Sequence, residues 1–269
     1  MKLPLYVATT MSVMSLVLAP VALAANSTVI VRASDPQGWI FNGDPRNSTP
    51  YEFTSAKASI GSGSLYVKPI GTNAPDKFTA DKGIAMPVAV LSSFAYDFQL
   101  AGSAVASDAN KTYLNVYANI DNSAKYYDCR FDYAPSTGST AAFTTASFAT
   151  TSTPVNVSQS GTARTTCPAT LAAMPSGSYV RAITLNVGDT STSDTGLAAY
   201  LDRVVVSTNT DSTVYDFEPE LTYPASKDEC KKDGYKSFTG QIFKNQGECV
   251  SYVATNDKAR NNLSNNPSY

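Results

Sequence analysis

The chain has 269 residues, a formal net charge of −2, four cysteines and no histidine. Without histidine, Ser-His-Asp and Cys-His catalysis and histidine-ligated zinc are excluded. Without a basic stripe to neutralise phosphates, nucleic acid is excluded as a partner.

The first 25 residues read as a secretory signal peptide. Lys2 gives a minimal basic start, Val13 to Leu23 is mostly apolar, and Ala22-Leu23-Ala24 fits a small-x-small cleavage site. The apolar run is short for a bilayer span and contains Pro20. The mature form is therefore expected to have no membrane span and to be secreted or extracellular. Four cysteines in an exported chain, with no Cys-x-x-Cys pair, suggest two disulfides. Three connectivities are open. Cys129–Cys167 with Cys230–Cys249 is favoured, because each pair then lies inside one expected domain.

From residue 26 to 220 the pattern is short strands between turn signals. Thr28 to Ala33 is the first strand. Residues 34–50 are dense in Pro, Gly, Asn and Asp and read as loop, holding the only tryptophan, Trp39. Strands follow at 51–53, 56–60 and 64–69. Gly71 to Gly83 reads as loop, and Val88 to Leu100 as one long strand.

The clearest alternation runs from Lys111 to Tyr133. Leu114, Val116, Ala118 and Ile120 share one parity, and Tyr113, Asn115, Tyr117 and Asn119 the other. After Asp121 to Ala124 the pattern resumes, with Tyr127, Cys129, Phe131 and Tyr133 on one face and Tyr126, Asp128, Arg130 and Asp132 on the other. This is a β-hairpin with one buried and one wet face. A four-residue loop would pair Asn119 with Tyr126, Tyr117 with Asp128 and Asn115 with Arg130. Further strands are expected at 141–151, 154–157, 179–187, 198–207 and 213–217. Such spacing, with no long amphipathic helix, argues an all-β antiparallel jelly-roll sandwich.

At Glu218 the pattern stops. Residues 221–226 read as a linker and 227–255 as a small Cys-stapled module. Ser226-Lys-Asp-Glu229 is a capping box opening a short helix, ended by Gly234, and Asn245 to Glu248 a second cap. A Cys230–Cys249 bridge would add about 3 kcal/mol to so small a core. Residues 256–269 are polar and Asn-rich, which predicts disorder.

The tyrosine-rich wet face supplies the leading site. Aromatic faces stack on pyranose rings while Asn, Asp and Arg bond the hydroxyls. The candidate ligand-binding residues are Tyr113, Asn115, Tyr117, Asn119, Tyr126, Asp128 and Arg130, with Trp39 as a second platform. The expected partner is a glycan; the alternative is a structural or adhesive role binding another surface protein. A glycosidase needs two placed carboxylates. The mature chain has five glutamates, Glu52 alone preceding Glu218, and no Glu-x-Asp-x-x-Glu pattern. Asp128 and Asp132 would stand roughly 13 Å apart along a strand. A non-catalytic protein is expected, with no certain cofactor. Oxygen-rich stretches at Asp35, Asn42 and Asp44, and at Asp202, Asp216 and Glu218, could hold a structural calcium.

Gly38-Trp39 followed by Gly61-Ser-Gly-Ser-Leu-Tyr-Val67, and Ala199-Tyr-Leu-Asp202-Arg-Val-Val-Val, resemble the early and closing motifs of bacterial jelly-roll carbohydrate-binding modules and related concanavalin-like exported domains. The resemblance implies a structural calcium near Asp202, although the usual Asn-x-x-Phe-Glu opening is missing. Pro69 to Phe78 and the tail element Cys230-Lys-x-x-Gly with Phe243-Lys-Asn-Gln-Gly-x-Cys249-Val resemble exported bacterial proteins without an assigned activity, which implies export and no particular reaction.

Overall fold

A computed structural model describes residues 26–43, 49–71, 77–122, 127–189 and 194–264, with 256–264 as backbone only. The signal-peptide stretch, Asp44 and Tyr126 lie outside the described residues. In chain order the strands are β1 (Asn26–Val31), β2 (Trp39–Phe41), β3 (Tyr51–Thr54), β4 (Ser64–Val67), β5 (Phe78–Pro87), β6 (Leu91–Gly102), β7 (Thr112–Asn119), β8 (Cys129–Tyr133), β9 (Thr144–Ala149), β10 (Asn156–Gln159), β11 (Tyr179–Val187), β12 (Leu197–Thr208) and β13 (Ser212–Phe217). One α-helix, α1 (Gln246–Ser264), follows.

The strands form two sheets packed as a β-sandwich. One has six strands in the order β10-β8-β7-β11-β5-β2. The other has seven, with β1-β13-β12-β4-β3 along one path and β6 joining β12 to β9. Pairing is antiparallel except for β1 against β13, which is parallel. Between the sheets lie Phe78, Phe98, Leu114, Val116, Phe131, Ile183, Leu185, Leu201 and Phe217, all buried. These are the same-parity residues of their strands, so alternation alone assigns the core face.

β12 is the branching strand. It pairs with β6 along one side; on the other it pairs with β4 over Ala199–Leu201 and then with β13 over Val204–Ser207. The switch falls at Asp202 and Arg203, where the register breaks and Arg203 takes φ 43°. The resulting gap in the ladder is filled by side-chain hydrogen bonds. Asp202 accepts from the backbone N–H of Ser59 (2.8 Å), Ile60 (3.1 Å), Arg203 (2.7 Å) and Phe217 (3.4 Å).

Several sequence expectations change. Gly71–Gly83 is not all loop, because β5 starts at Phe78 and lies between β11 and β2. Asp81, Lys82, Gly83 and Pro87 disguise it, and it forms because both neighbours satisfy its backbone. Ala56 to Ile60 is not a strand but part of the loop bound by Asp202. Val88 to Val90 is a 3-10 turn ahead of β6.

The C-terminal module has its own core of Cys230, Phe243, Cys249 and Val253, flanked by Tyr235, Phe238 and Tyr252. Disulfides join Cys129 to Cys167 and Cys230 to Cys249. Residues 226–233 form turns, not the expected helix, although Ala225 N–H donates to Glu229 (2.9 Å) and Glu229 N–H to Ser226 Oγ (3.4 Å). The left-handed positions are Lys232 and Asp233. Gly234 follows them because a Cβ there would lie 1.9 Å from the Glu229 carbonyl oxygen. Asn245 caps α1 by accepting the Glu248 N–H (3.0 Å), and Glu248 returns a bond to the Lys244 N–H (2.8 Å). The helix backbone continues to Ser264, through part of the stretch whose composition predicts disorder.

Residues 221–226 are not a free linker. Thr222 and Thr239 exchange bonds (2.9 and 3.0 Å), and Tyr223 stacks on Tyr252 with ring centroids 6.4 Å apart. The sandwich side is tied at Glu220, which accepts the N–H (2.6 Å) and hydroxyl (2.7 Å) of Ser34. Because the two cores are separate, the paired substitution Cys230→Ser with Cys249→Ser should cost the module about 3 kcal/mol and leave the sandwich folded. Limited proteolysis of the full chain should then cut beyond Glu220 while a fragment of sandwich size survives.

Candidate functional site

The six-stranded sheet turns its other face away from the core, and the register places its side chains in rows. Asn156, Asp132, Asn115, Thr184 and Asp81 pair in sequence across β10, β8, β7, β11 and β5. Beside this row stand Ser158, Arg130, Tyr117 and Ala182 on one side, and Tyr113, Asn186 and Thr79 on the other.

The hairpin register differs from the expected one by two residues: Tyr117 faces Arg130, and Asn115 faces Asp132. The connection between β7 and β8 is longer than four residues. An even shift changes partners but keeps faces, so the parity reading of β7 and β8 survives. Tyr127 precedes β8 and escapes that parity; its ring meets Tyr117 edge-on at 5.3 Å.

Asp132 is the hub. Its Oδ1 accepts Asn115 Nδ2 (2.6 Å) and Arg130 Nε (2.7 Å), and its Oδ2 accepts Arg130 Nη2 (2.9 Å) and Asn156 Nδ2 (2.9 Å). Asn186 Nδ2 donates to Asn115 Oδ1 (2.9 Å), and Lys77 Nζ reaches Asn186 Oδ1 (3.4 Å). Thr184 donates to Asp81, and Arg130 Nη2 to Ser158 Oγ (3.3 Å). Asn115, Thr184, Asn186 and Asp132 are buried; Tyr113, Tyr117, Arg130 and Lys77 are half-buried. Short amides and hydroxyls thus lie deep, and longer aromatic and cationic groups rise around them.

The electrostatics fit that depth. Burial, and then the charge of Asp132, push the Tyr113 phenol up to about 12, so it remains a neutral hydroxyl. Burial opposes the charge on Arg130, but the hydrogen bonds and charge of Asp132 outweigh it and raise its pKa.

Asn119 stays on the outer parity of β7, opposite Tyr179 of β11, and is fully buried. Two sequence candidates leave the face. Asp128 is fully buried and held by Arg164, which donates from Nη2 to Oδ2 (2.9 Å) and from its N–H to Oδ1 (2.9 Å), while Ile120 N–H also binds Oδ2 (3.1 Å). Asp128 therefore closes the turn between β7 and β8, and Arg130 pairs with Asp132 alone. Trp39 is no exposed platform: at 3% exposure it packs edge-on against Tyr215 (5.5 Å) and Phe217 (5.2 Å) in the core. Tyr126 lies outside the described residues. Asn186, Thr184, Asp81 and Asn156 were not singled out in the sequence. Their signal is a polar residue on a strand's outer parity, which acquires meaning only when the strand order is known.

The metal candidates divide as well. Asn42 is structural: its amide binds the Thr49 carbonyl (2.8 Å) and accepts the Thr79 N–H (3.3 Å). Asp35 accepts Gln37 Nε2 (2.6 Å). Asp202 has its two oxygens filled by four backbone N–H groups, a donor set that leaves it poorly suited to ligate a cation. Burial, working against those hydrogen bonds, pushes it up to about 6. Among the described residues no group of three His, Cys, Asp or Glu side chains is arranged to hold a metal ion.

No protein-family model matches the chain. No curated protein matches it either. Among solved structures the chain is similar to the enzymatically active domain of tailspike protein 4 of bacteriophage CBA120, at 12% identity and TM-score 0.38, covering 64% of this chain and 19% of that one. It is similar to the K1 cleaved adhesin domain of Lys-gingipain from Porphyromonas gingivalis W83, at 12% identity and TM-score 0.35, covering 65% and 92%. It is also similar to a xylan-binding domain from CBM 22, at 12% identity and TM-score 0.37, covering 64% and 86%. At such identity side-chain positions do not transfer, so what each neighbour binds stays with that neighbour.

Asp132→Ala should lower stability by about 2–4 kcal/mol, because it leaves Arg130 and two amides without their acceptor. A denaturant midpoint measured on the full chain checks this, and a loss below about 1 kcal/mol would show that Asp132 does not hold the row together.

Proposed function

We propose that the protein is an exported, non-catalytic glycan-binding protein whose binding surface is the polar face of the six-stranded sheet. One observation carries the reading: a hydrogen-bonded row of amides, carboxylates and hydroxyls, fixed across five strands, with Tyr113 and Tyr117 beside it. A pyranose offers an apolar ring face and a rim of hydroxyls. A surface that presents aromatic rings next to polar groups held in one orientation suits both parts. Fixing those groups beforehand removes the ordering cost on binding.

The carboxylates support binding over turnover. Both oxygens of Asp132 are occupied by donors, and Asp128 is buried against Arg164. Glu52 on β3 of the other sheet pairs with Lys68, the residue just after β4 (2.7 Å). Export is supported by the amino-terminal sequence and by the two disulfides, since such bonds persist in oxidising compartments.

A second reading, adhesion to another protein, rests on apolar side chains in and just before the module: Ile242 is 86% exposed, and Leu221 and Tyr223 in the preceding segment are also exposed. A glycan array separates the two. The expected result is binding to a defined class of glycans, weakened about tenfold or more in Tyr117→Ala and in Tyr113→Ala, the scale of one lost aromatic contact. A glycan-negative array together with self-association or capture of a surface protein would favour adhesion.

A further inference from the structure

We propose that Tyr66 and Tyr200 are an oxidative cross-linking site, where hydrogen peroxide and a peroxidase-type one-electron oxidant join the two rings into a dityrosine that fastens β4 to β12. Leu65, Val67, Ala199 and Leu201 face the core, so alternation turns Tyr66 and Tyr200 to the outer face of the seven-stranded sheet. That face is not the proposed glycan surface, and the site does not depend on the glycan reading. The two tyrosines stand directly opposite each other on antiparallel strands. Such partners hold their Cβ atoms about 5 Å apart. The rings are stacked, with centroids 4.5 Å apart and planes inclined by 25°. Among the described residues this is the closest tyrosine pair: Tyr117 and Tyr127 meet edge-on at 5.3 Å, and Tyr223 and Tyr252 lie 6.4 Å apart. Glu52 faces Tyr66 on one side, and Gln99 faces Tyr200 on the other. Both flanking side chains are fixed, Glu52 by Lys68 (2.7 Å) and Gln99 by the Thr140 carbonyl (2.7 Å). The rings are thus bracketed in place, yet each is only half-buried and open to a small oxidant.

Each phenol gives up one electron and its hydroxyl proton. The two phenoxyl radicals join through the ring carbons ortho to oxygen. One carbon–carbon bond forms, two ring C–H bonds break, and the displaced hydrogens restore the two hydroxyls. The two electrons and two protons removed convert one hydrogen peroxide to two waters. Burial, and then Tyr66 and Glu52, hold the Tyr200 phenol above its usual range. A phenolate is disfavoured there, but a phenoxyl radical is uncharged, so the proton leaves with the electron. The position gives the bond its consequence. β4 pairs with β12 over three residues, Leu65–Val67 against Ala199–Leu201, before β12 turns to β13. β3 joins the sheet through β4, so this short ladder holds both strands. A covalent link at its centre closes a long loop of the chain at its thinnest junction.

The test is treatment of the full mature chain with a haem peroxidase and one equivalent of hydrogen peroxide, read by intact mass, dityrosine fluorescence, peptide mapping and thermal unfolding. The expected product is a monomer lighter by two hydrogens, with the peptide holding Tyr66 joined to the peptide holding Tyr200. Its melting midpoint should rise by about 5–10 °C, because the link restricts the unfolded chain. Tyr66→Phe and Tyr200→Phe should each abolish the link and the rise, since phenylalanine forms no phenoxyl radical. Tyr223→Phe should leave both. Treated protein without the mass loss, or with links only between other tyrosines or between molecules, would overturn the proposal. A mapped Tyr66–Tyr200 link with no higher midpoint would also overturn it.

Discussion

Four hydrogen bonds accepted by one carboxylate, that of Asp132, set the character of the molecule's polar face. They draw side chains from β7, β8 and β10 to a single point, and Asn186 extends the chain of bonds to β11. Buried polar groups are costly when unpaired and rigid when fully paired. Here pairing is dense, so the face has one arrangement, and Tyr113 and Tyr117 stand beside a surface that does not reorganise. The opposite parity of the same strands supplies Leu114, Val116 and Phe131 to the core. One alternation therefore carries stability on one side of the sheet and chemistry on the other.

The second organising point is the branch in β12. A strand that changes partners leaves backbone donors unmatched, and Asp202 takes up those of Arg203 and Phe217 together with two from the loop before β4, Ser59 and Ile60. Beside it Arg203 pairs with Asp97 through Nε and Nη2, both at 2.7 Å, and Thr145 joins the same carboxylate (2.7 Å). Asp97 is consequently held below the usual carboxylate range: burial works against its charge, and the bonds from Arg203, Ser59 and Thr145 prevail. The branch is thus built from charges rather than from ladder bonds, and it lies on the sheet opposite the candidate binding face.

The sequence made part of this legible. Period-two alternation located β7 and β8 and their faces, and an even register shift could not spoil that. It could not reveal depth. Asn119 and Asp128 have the residue types of a wet surface yet are buried, and Asp128 is held there by Arg164. Trp39 lies in a loop-like composition, but short β2 pairs with β5 and carries its ring into the core. β5 itself was hidden by Asp81-Lys82-Gly83, a run that becomes a strand only with β11 and β2 on either side. The row through Asp132 joins strands far apart in the chain, so no local pattern announces it. In the module, the Asn245 cap depends on neighbours three residues away and was readable; the turns of 226–233 depend on the disulfide core and were not.

Amide hydrogen exchange of the full mature chain, with and without the glycan selected by array, tests the central claim most directly. The account predicts that bound glycan slows exchange in β7, β8 and β11, around Tyr113 to Tyr117 and Arg130 to Asp132, and leaves β12, β13 and the C-terminal module unchanged. Protection confined to the module or to the seven-stranded sheet, with β7 and β8 unaffected, would contradict it.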